Sequence, residues 1–116
     1  MKLPNAVYAQ VERAKVADYL LDPNHPDGGS KADFFSRFGD TRKRWEVLAD
    51  ALREHALAHE VVMVVASAHG ARYQIDGEMD APDGRKPRIR SVWIIDIKPS
   101  NELEKGTPRL ITAYPI

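Results

Sequence analysis

Apolar side chains first recur at helical intervals between Glu12 and Leu21, where Val16, Tyr19 and Leu20 share a stripe that excludes Lys15 and Asp18. This predicts a short helix ending at Leu21-Asp22-Pro23, because proline restricts the residue before it and cannot continue the hydrogen-bond ladder. Asp22 to Gly29 reads as a loop by composition. Ser30 is the expected N-cap of a second helix, with Asp33 at the third position, an apolar face of Ala32, Phe34, Phe35 and Phe38, and Gly39 just past its end. Asp40 or Thr41 then caps a third helix, Arg42 to about Ala58, in which Trp45, Leu48, Ala49, Leu52 and Ala56 repeat at helical spacing.

Beyond Ala58 the period falls to two. Val61–Ser67 is rich in β-branched residues, and Ala71–Met79 sets Tyr73, Ile75 and Gly77 against Arg72, Gln74 and Asp76. Ala68-His69-Gly70 is a tight connection between them, and Pro82-Asp83-Gly84 is a stronger turn. Arg88–Lys98 alternates Ile89, Ser91, Trp93 and Ile95 with Arg90, Val92, Ile94 and Asp96. After a loop over Pro99–Thr107, Arg109–Tyr114 forms a last strand, with Leu110, Thr112 and Tyr114 on one face and Arg109 and Ile111 on the other. Short connections favour an antiparallel meander. The expected class is α+β: three N-terminal helices, about 12–58, packed on a four-stranded antiparallel β-meander, about 61–114, in one domain spanning 1–116.

Composition keeps this picture and narrows the chemistry. With 43% hydrophobic and 29% charged residues the chain can bury a core, and 116 residues leave no room for a second one. The lack of cysteine excludes disulfides, thiolate metal sites and a cysteine nucleophile. The longest apolar run, Val61–Ala66, is far short of a membrane span, and the first residues lack a signal-peptide pattern, so a cytoplasmic protein without a membrane partner is expected. Lys plus Arg balances Asp plus Glu at 17 each, yet from Gly84 to Leu110 seven basic residues face three acidic ones. That excess fits either protected strand edges or an anion-facing surface.

Candidate chemistry gathers in Asp22-Pro-Asn-His25-Pro-Asp-Gly-Gly-Ser30-Lys31. Two prolines stiffen the backbone around His25, and the following helix start offers free amides suited to an anion. Lys31 falls in that first turn, where a cation is electrostatically unfavourable. It either reaches for a bound anion or lies on the surface, paired with Asp27 or Asp33. The Gly28-Gly29-Ser30-Lys31 string lacks the upstream glycine and strand of a P-loop. His55 and His59 have the i, i+4 spacing of metal ligands but lack the adjacent glutamate of the zinc-protease motif, and a helix C-terminus favours histidine on its own account. No metal or cofactor is expected. Thr112 and Tyr114 form a hydroxyl pair able to orient a substrate, though both are also good strand formers.

Leu3-Pro-Asn-Ala6, Asp18-Tyr-Leu-Leu-Asp-Pro-Asn-His25-Pro-Asp-Gly-Gly-Ser-Lys31-Ala-Asp-Phe-Phe35, Gly70-Ala-Arg72-Tyr73, Pro82-Asp-Gly-Arg85, Arg90-Ser-Val-Trp93 and Pro108-Arg-Leu-Ile-Thr112-Ala-Tyr114 together resemble a family of small bacterial domains. Its members occur alone and at the C-terminal tips of contact-dependent, polymorphic toxins, and the resemblance covers nearly the whole chain. Several relatives lack an insertion such as Lys98–Thr107. Toxin tips of helices followed by a four-stranded meander are similar to the barnase, EndoU, colicin and RelE-like ribonuclease superfamily. The resemblance therefore implies a metal-independent ribonuclease toxin with RNA and a cognate antitoxin or immunity protein as partners. It implies His25 as general acid or base, Lys31 as phosphate clamp, Thr112 and Tyr114 as orienting groups, and Arg72, Arg90 and Ser30 as substrate-binding residues. A second proton-transfer group is not evident, with His69 and Tyr114 as candidates. The alternative is a non-enzymatic phosphate- or protein-binding module with a structural His–Lys corner.

Overall fold

The first helix forms where its stripe demands, but with a wider final turn. In the structure, a computed structural model describing all 116 residues, helix α1 (Arg13–Lys15) runs into a π-helical turn (Val16–Leu20), and Leu21 N–H donates to Val16 O at 2.8 Å. Val16 and Leu20 are fully buried. Helix α2 (Gly29–Arg37) ends as its sequence requires. Gly39 has φ 100°, its N–H donates to Ser36 O, and Asp40 N–H donates to Phe35 O, the two bonds of a Schellman motif. Helix α3 (Trp45–Ala58) starts later than expected, because Thr41 Oγ1 accepts from Arg44 N–H and holds residues 42–44 in a turn.

Strands β1 (Val61–Ser67), β2 (Gly70–Glu78), β3 (Arg88–Asp96) and β4 (Arg109–Pro115) form one antiparallel sheet in sequential order. The class is α+β, three helices with a four-stranded antiparallel sheet. Short 3-10 turns at Ala6–Tyr8 and Glu102–Glu104 also occur, so helical segments are not confined to the stretch expected for them. The core lies between the helices and one sheet face, where Phe35, Leu48, Leu52, Ile75, Trp93 and Leu110 are buried. No helix is long and apolar enough to cross a membrane.

A buried polar cluster fixes α3 to the sheet. Trp93 Nε1–H donates to Ser91 Oγ at 2.9 Å, Ser91 Oγ lies 3.0 Å from His55 Nδ1, and His55 Nε2 lies 3.1 Å from Gly77 O. One set of protons satisfies all three: Ser91 donates to Nδ1, and the Nε2–H donates to the carbonyl. His55, expected at a helix C-terminus that favours histidine, is thus a core residue, and its partner in spacing, His59, bonds Glu78 O instead.

A bulge corrects the expected face of the last strand. Val92 pairs with Thr112 but Trp93 pairs with Leu110, so Ile111 is the extra residue. The alternation resets there. Leu110 faces the core beside Trp93, whereas Arg109, Thr112 and Tyr114 share the opposite face with Ile94, Val92 and Arg90.

Candidate functional site

The loop before α2 folds upon its own histidine. Asp22 Oδ1 accepts from Asn24 N–H, and Asp22 O accepts from His25 N–H, closing the turn that the two prolines frame. His25 Nδ1 then accepts two backbone bonds, from Asp27 N–H at 3.0 Å and Gly28 N–H at 3.1 Å. These amides lie just before the first residue of α2, so the imidazole closes the turn that leads into the helix, while Gly29 N–H donates to the His25 carbonyl. The expected cap, Ser30, instead lies inside the first turn of α2, exposed and without a side-chain bond, because the helix starts two residues earlier, after Gly28. With Nδ1 accepting, the ring proton sits on Nε2, the nitrogen left for any ligand.

Gly28 explains the approach of this loop to α1. A Cβ there would lie 2.3 Å from Tyr19 O and 2.8 Å from Tyr19 Cδ1, so no larger residue fits against the π-turn. The contact brings the loop onto the tyrosine ring. His25 meets it edge-on, centroids 5.0 Å apart at 71°, and the Lys31 and Lys15 ammonium groups stand 5.2 and 5.8 Å from its centroid. Lys31 Nζ also donates to Asp27 O at 3.1 Å, while Asp33 pairs with Arg37. The phenol oxygen reaches Thr112 Oγ1 at 2.9 Å. Burial raises the affinity of this phenol for its proton. Lys31, the Thr112 hydroxyl and Lys15 more than offset that, and the pKa falls below the ordinary 10.0.

Tyr19 is therefore the residue on which His25, Lys31, Lys15 and Thr112 converge. Sequence reasoning placed it in the apolar stripe and gave it no chemistry. The signal was present, since a tyrosine on a core stripe needs a partner for its hydroxyl and Lys15 lies one turn before it.

An open hollow of about 530 Å³ adjoins the cluster, lined by Glu12, Lys15, Asp18, Tyr19, His25 and Asp27 among others. Three carboxylates and one ammonium on this wall do not make an anion-facing surface. Tyr114 stands apart from the His25 corner, directly across from Arg90 on β3. Arg90 makes two bonds to Asp76, at 2.7 and 2.9 Å, which neutralise it, and Arg109 does likewise with Asp96. Arg72 is exposed, has no ion pair, and lies on the same sheet face as Thr112. His69 is exposed in the β1–β2 turn, on a different part of the fold.

The same fold occurs in a solved structure of a contact-dependent growth inhibition toxin–immunity protein complex from Klebsiella pneumoniae 342. The match has a TM-score of 0.67 at 21% identity and covers 91% of this chain and 98% of that one. No curated protein matches the chain. Residues 2–116 match a family model described as a domain of unknown function, DUF6883, and the chain belongs to that family.

Proposed function

We propose that this domain is an antibacterial-type toxin that cleaves RNA without a metal, and that its activity is blocked by a dedicated immunity protein. The observation carrying the reading is the convergence of His25, Lys31, Lys15 and Thr112 on one tyrosine whose proton is held less tightly than usual. The likeness in fold to a chain of a contact-dependent growth inhibition toxin–immunity protein complex supports the biological setting.

In this mechanism Tyr19 carries both proton transfers. Its phenolate takes the proton of a ribose 2′-hydroxyl, and the 2′-oxygen attacks the adjacent phosphorus. The resulting phenol returns the proton to the departing 5′-oxygen, leaving a 2′,3′-cyclic phosphate and a free 5′-hydroxyl. Lys31 and Lys15 oppose the charge that builds on the phosphorane. His25 donates its Nε2–H to a phosphate oxygen, a role compatible with an Nδ1 engaged by two amides. Thr112 orients the phenol, and Arg72 offers the sheet face its unpaired cation for a flanking phosphate. Tyr114 and Ser30 remain substrate-contact candidates at the margin of this centre.

Incubation of purified protein with total bacterial RNA in chelator tests the reading. Wild type should yield discrete fragments ending in cyclic phosphate, and Tyr19→Phe should yield none while keeping its fold. Intact RNA with wild type, or undiminished cleavage by Tyr19→Phe, refutes the assignment. A second reading, a phosphate-holding module, gains from the His25 Nδ1 bonds, because a ring nitrogen engaged by two backbone amides is poorly placed for proton transfer. It predicts anion-dependent stabilisation without turnover.

A further inference from the structure

We propose that β1 is a self-pairing edge, through which two copies of this chain join into one continuous eight-stranded sheet. The two edges of the sheet are treated differently by the fold. Beside β4, Gln10 N–H donates to Pro108 O and Leu110 N–H donates to Gln10 O, so part of that edge is covered by chain. Pro115 ends the strand with a residue that cannot extend a ladder. β1 is the other outer strand, and only its first residue is engaged on the outside, Val61 N–H donating to Met1 O at 2.7 Å. From Val62 to Ser67 no strand lies on the outer side.

That open edge is apolar on both faces. Val62 and Met63 are each 53% exposed, Val64 48% and Val65 41%. Val64 lies on the helix side, opposite Tyr73, while Met63 and Val65 lie on the far side, opposite Gln74 and Arg72. The helix layer therefore stops short of β1. Strands that must stay single carry lysine, proline or inward charge, and β1 has none of these, only a bulge at Val62.

The chemistry of the edge favours a second copy as occupant. Every antiparallel register within Val62–Ser67 sets valine, methionine, alanine or serine against the same set, with no charge opposite charge. A two-fold axis across the edge satisfies both rows of backbone groups and buries both sets of side chains. A charged foreign strand would find no counter-ion along it. The edge also lies across the sheet from β4 and Thr112, so pairing leaves both candidate centres open at the outer ends.

Sedimentation velocity of the intact chain, alone and over a concentration series, measures the association directly. Wild type should reach dimer mass, and Val64→Lys should stay at monomer mass with an unchanged circular dichroism spectrum. Because the chain has no cysteine, Val64→Cys provides an independent reporter near the axis. It should form a covalent dimer on mild oxidation, whereas Ser36→Cys on the exposed side of α2 should not. A wild type that stays monomeric at every soluble concentration overturns the proposal. So does an unweakened Val64→Lys dimer, or a β1 edge protected only by a different protein.

Discussion

The Tyr19 phenol oxygen lies 2.9 Å from Thr112 Oγ1, a contact between residues 93 positions apart. It ties the π-helical turn after α1 to the far-side face of the edge strand β4, at the point where the Ile111 bulge has turned Thr112 away from the core. One hydroxyl pair thus sets the height of the tyrosine ring against His25 and Lys31. The position of the whole cluster depends on it.

Tyr19→Phe and Thr112→Val should each lower stability by about 1 kcal/mol, the usual net worth of a partly buried neutral hydrogen bond. The double variant should lose less than the sum, because the second change removes a partner already widowed. Urea unfolding of all four proteins gives the coupling directly. In the cleavage assay the two variants should separate, with Tyr19→Phe inactive and Thr112→Val slowed, since the latter keeps the phenol and loses only its orientation.

Gly28→Ala tests how closely α2 must approach α1. Gly28 has φ −105°, so alanine is not excluded by backbone conformation and the cost is steric. The added carbon meets the Tyr19 carbonyl, which has no freedom to move aside as a side-chain tip would. Overpacking of this kind should cost about 1–3 kcal/mol. Thermal unfolding measures the loss, and weaker near-ultraviolet tyrosine dichroism should accompany it.

The sheet and the apolar faces of the helices were legible in the sequence because binary patterning sets them. Trp93, Ile89 and Ile75 alternate as their burial requires, and Gly39 marks the end of α2. The Ile111 bulge was not legible, since nothing in Arg-Leu-Ile-Thr-Ala-Tyr distinguishes a bulged residue from a paired one, and it moved Leu110 away from the face of Thr112. The His25–Lys31 corner was legible as an oddity of composition. Its centre was not, because Tyr19 satisfies the helical stripe and the site equally well. The turn closed by His25 Nδ1 also escaped pattern reasoning, since a histidine ring nitrogen accepts the amides two and three residues on only when the backbone between them has the right shape.

Asp40 is 4% exposed and neither carboxylate oxygen has a hydrogen-bond partner. Burial, reinforced by the charge of Asp83, pushes its pKa up to about 6 from 3.8. The folded state then holds this proton more tightly than the unfolded chain, so stability is lost as pH rises from about 4 to 6. Asp40→Asn should recover up to roughly 3 kcal/mol at neutral pH, less whatever the buried amide leaves unbonded, and should be without benefit below pH 4. Denaturant midpoints at three pH values measure both ends of that window.

His55 pulls the other way. Its burial lowers the pKa to about 4 from 6.5, so between those values the unfolded chain binds more protons than the folded one. Stability contributed by neutral His55 is complete above pH 6.5 and is lost as pH falls toward 4, up to roughly 3 kcal/mol. The Asp40 and His55 windows overlap with opposite slopes, so wild type should show a flatter profile between pH 4 and 6 than either group alone would give. In Asp40→Asn the His55 slope stands alone, and stability should climb steeply with pH there. Ser91→Ala tests the same cluster from another side, because it leaves the Trp93 indole N–H and His55 Nδ1 buried without a partner. Two such losses should cost about 2–4 kcal/mol at neutral pH. If Ser91→Ala is neutral and Asp40→Asn keeps the wild-type profile, neither buried group controls the acid limb of stability.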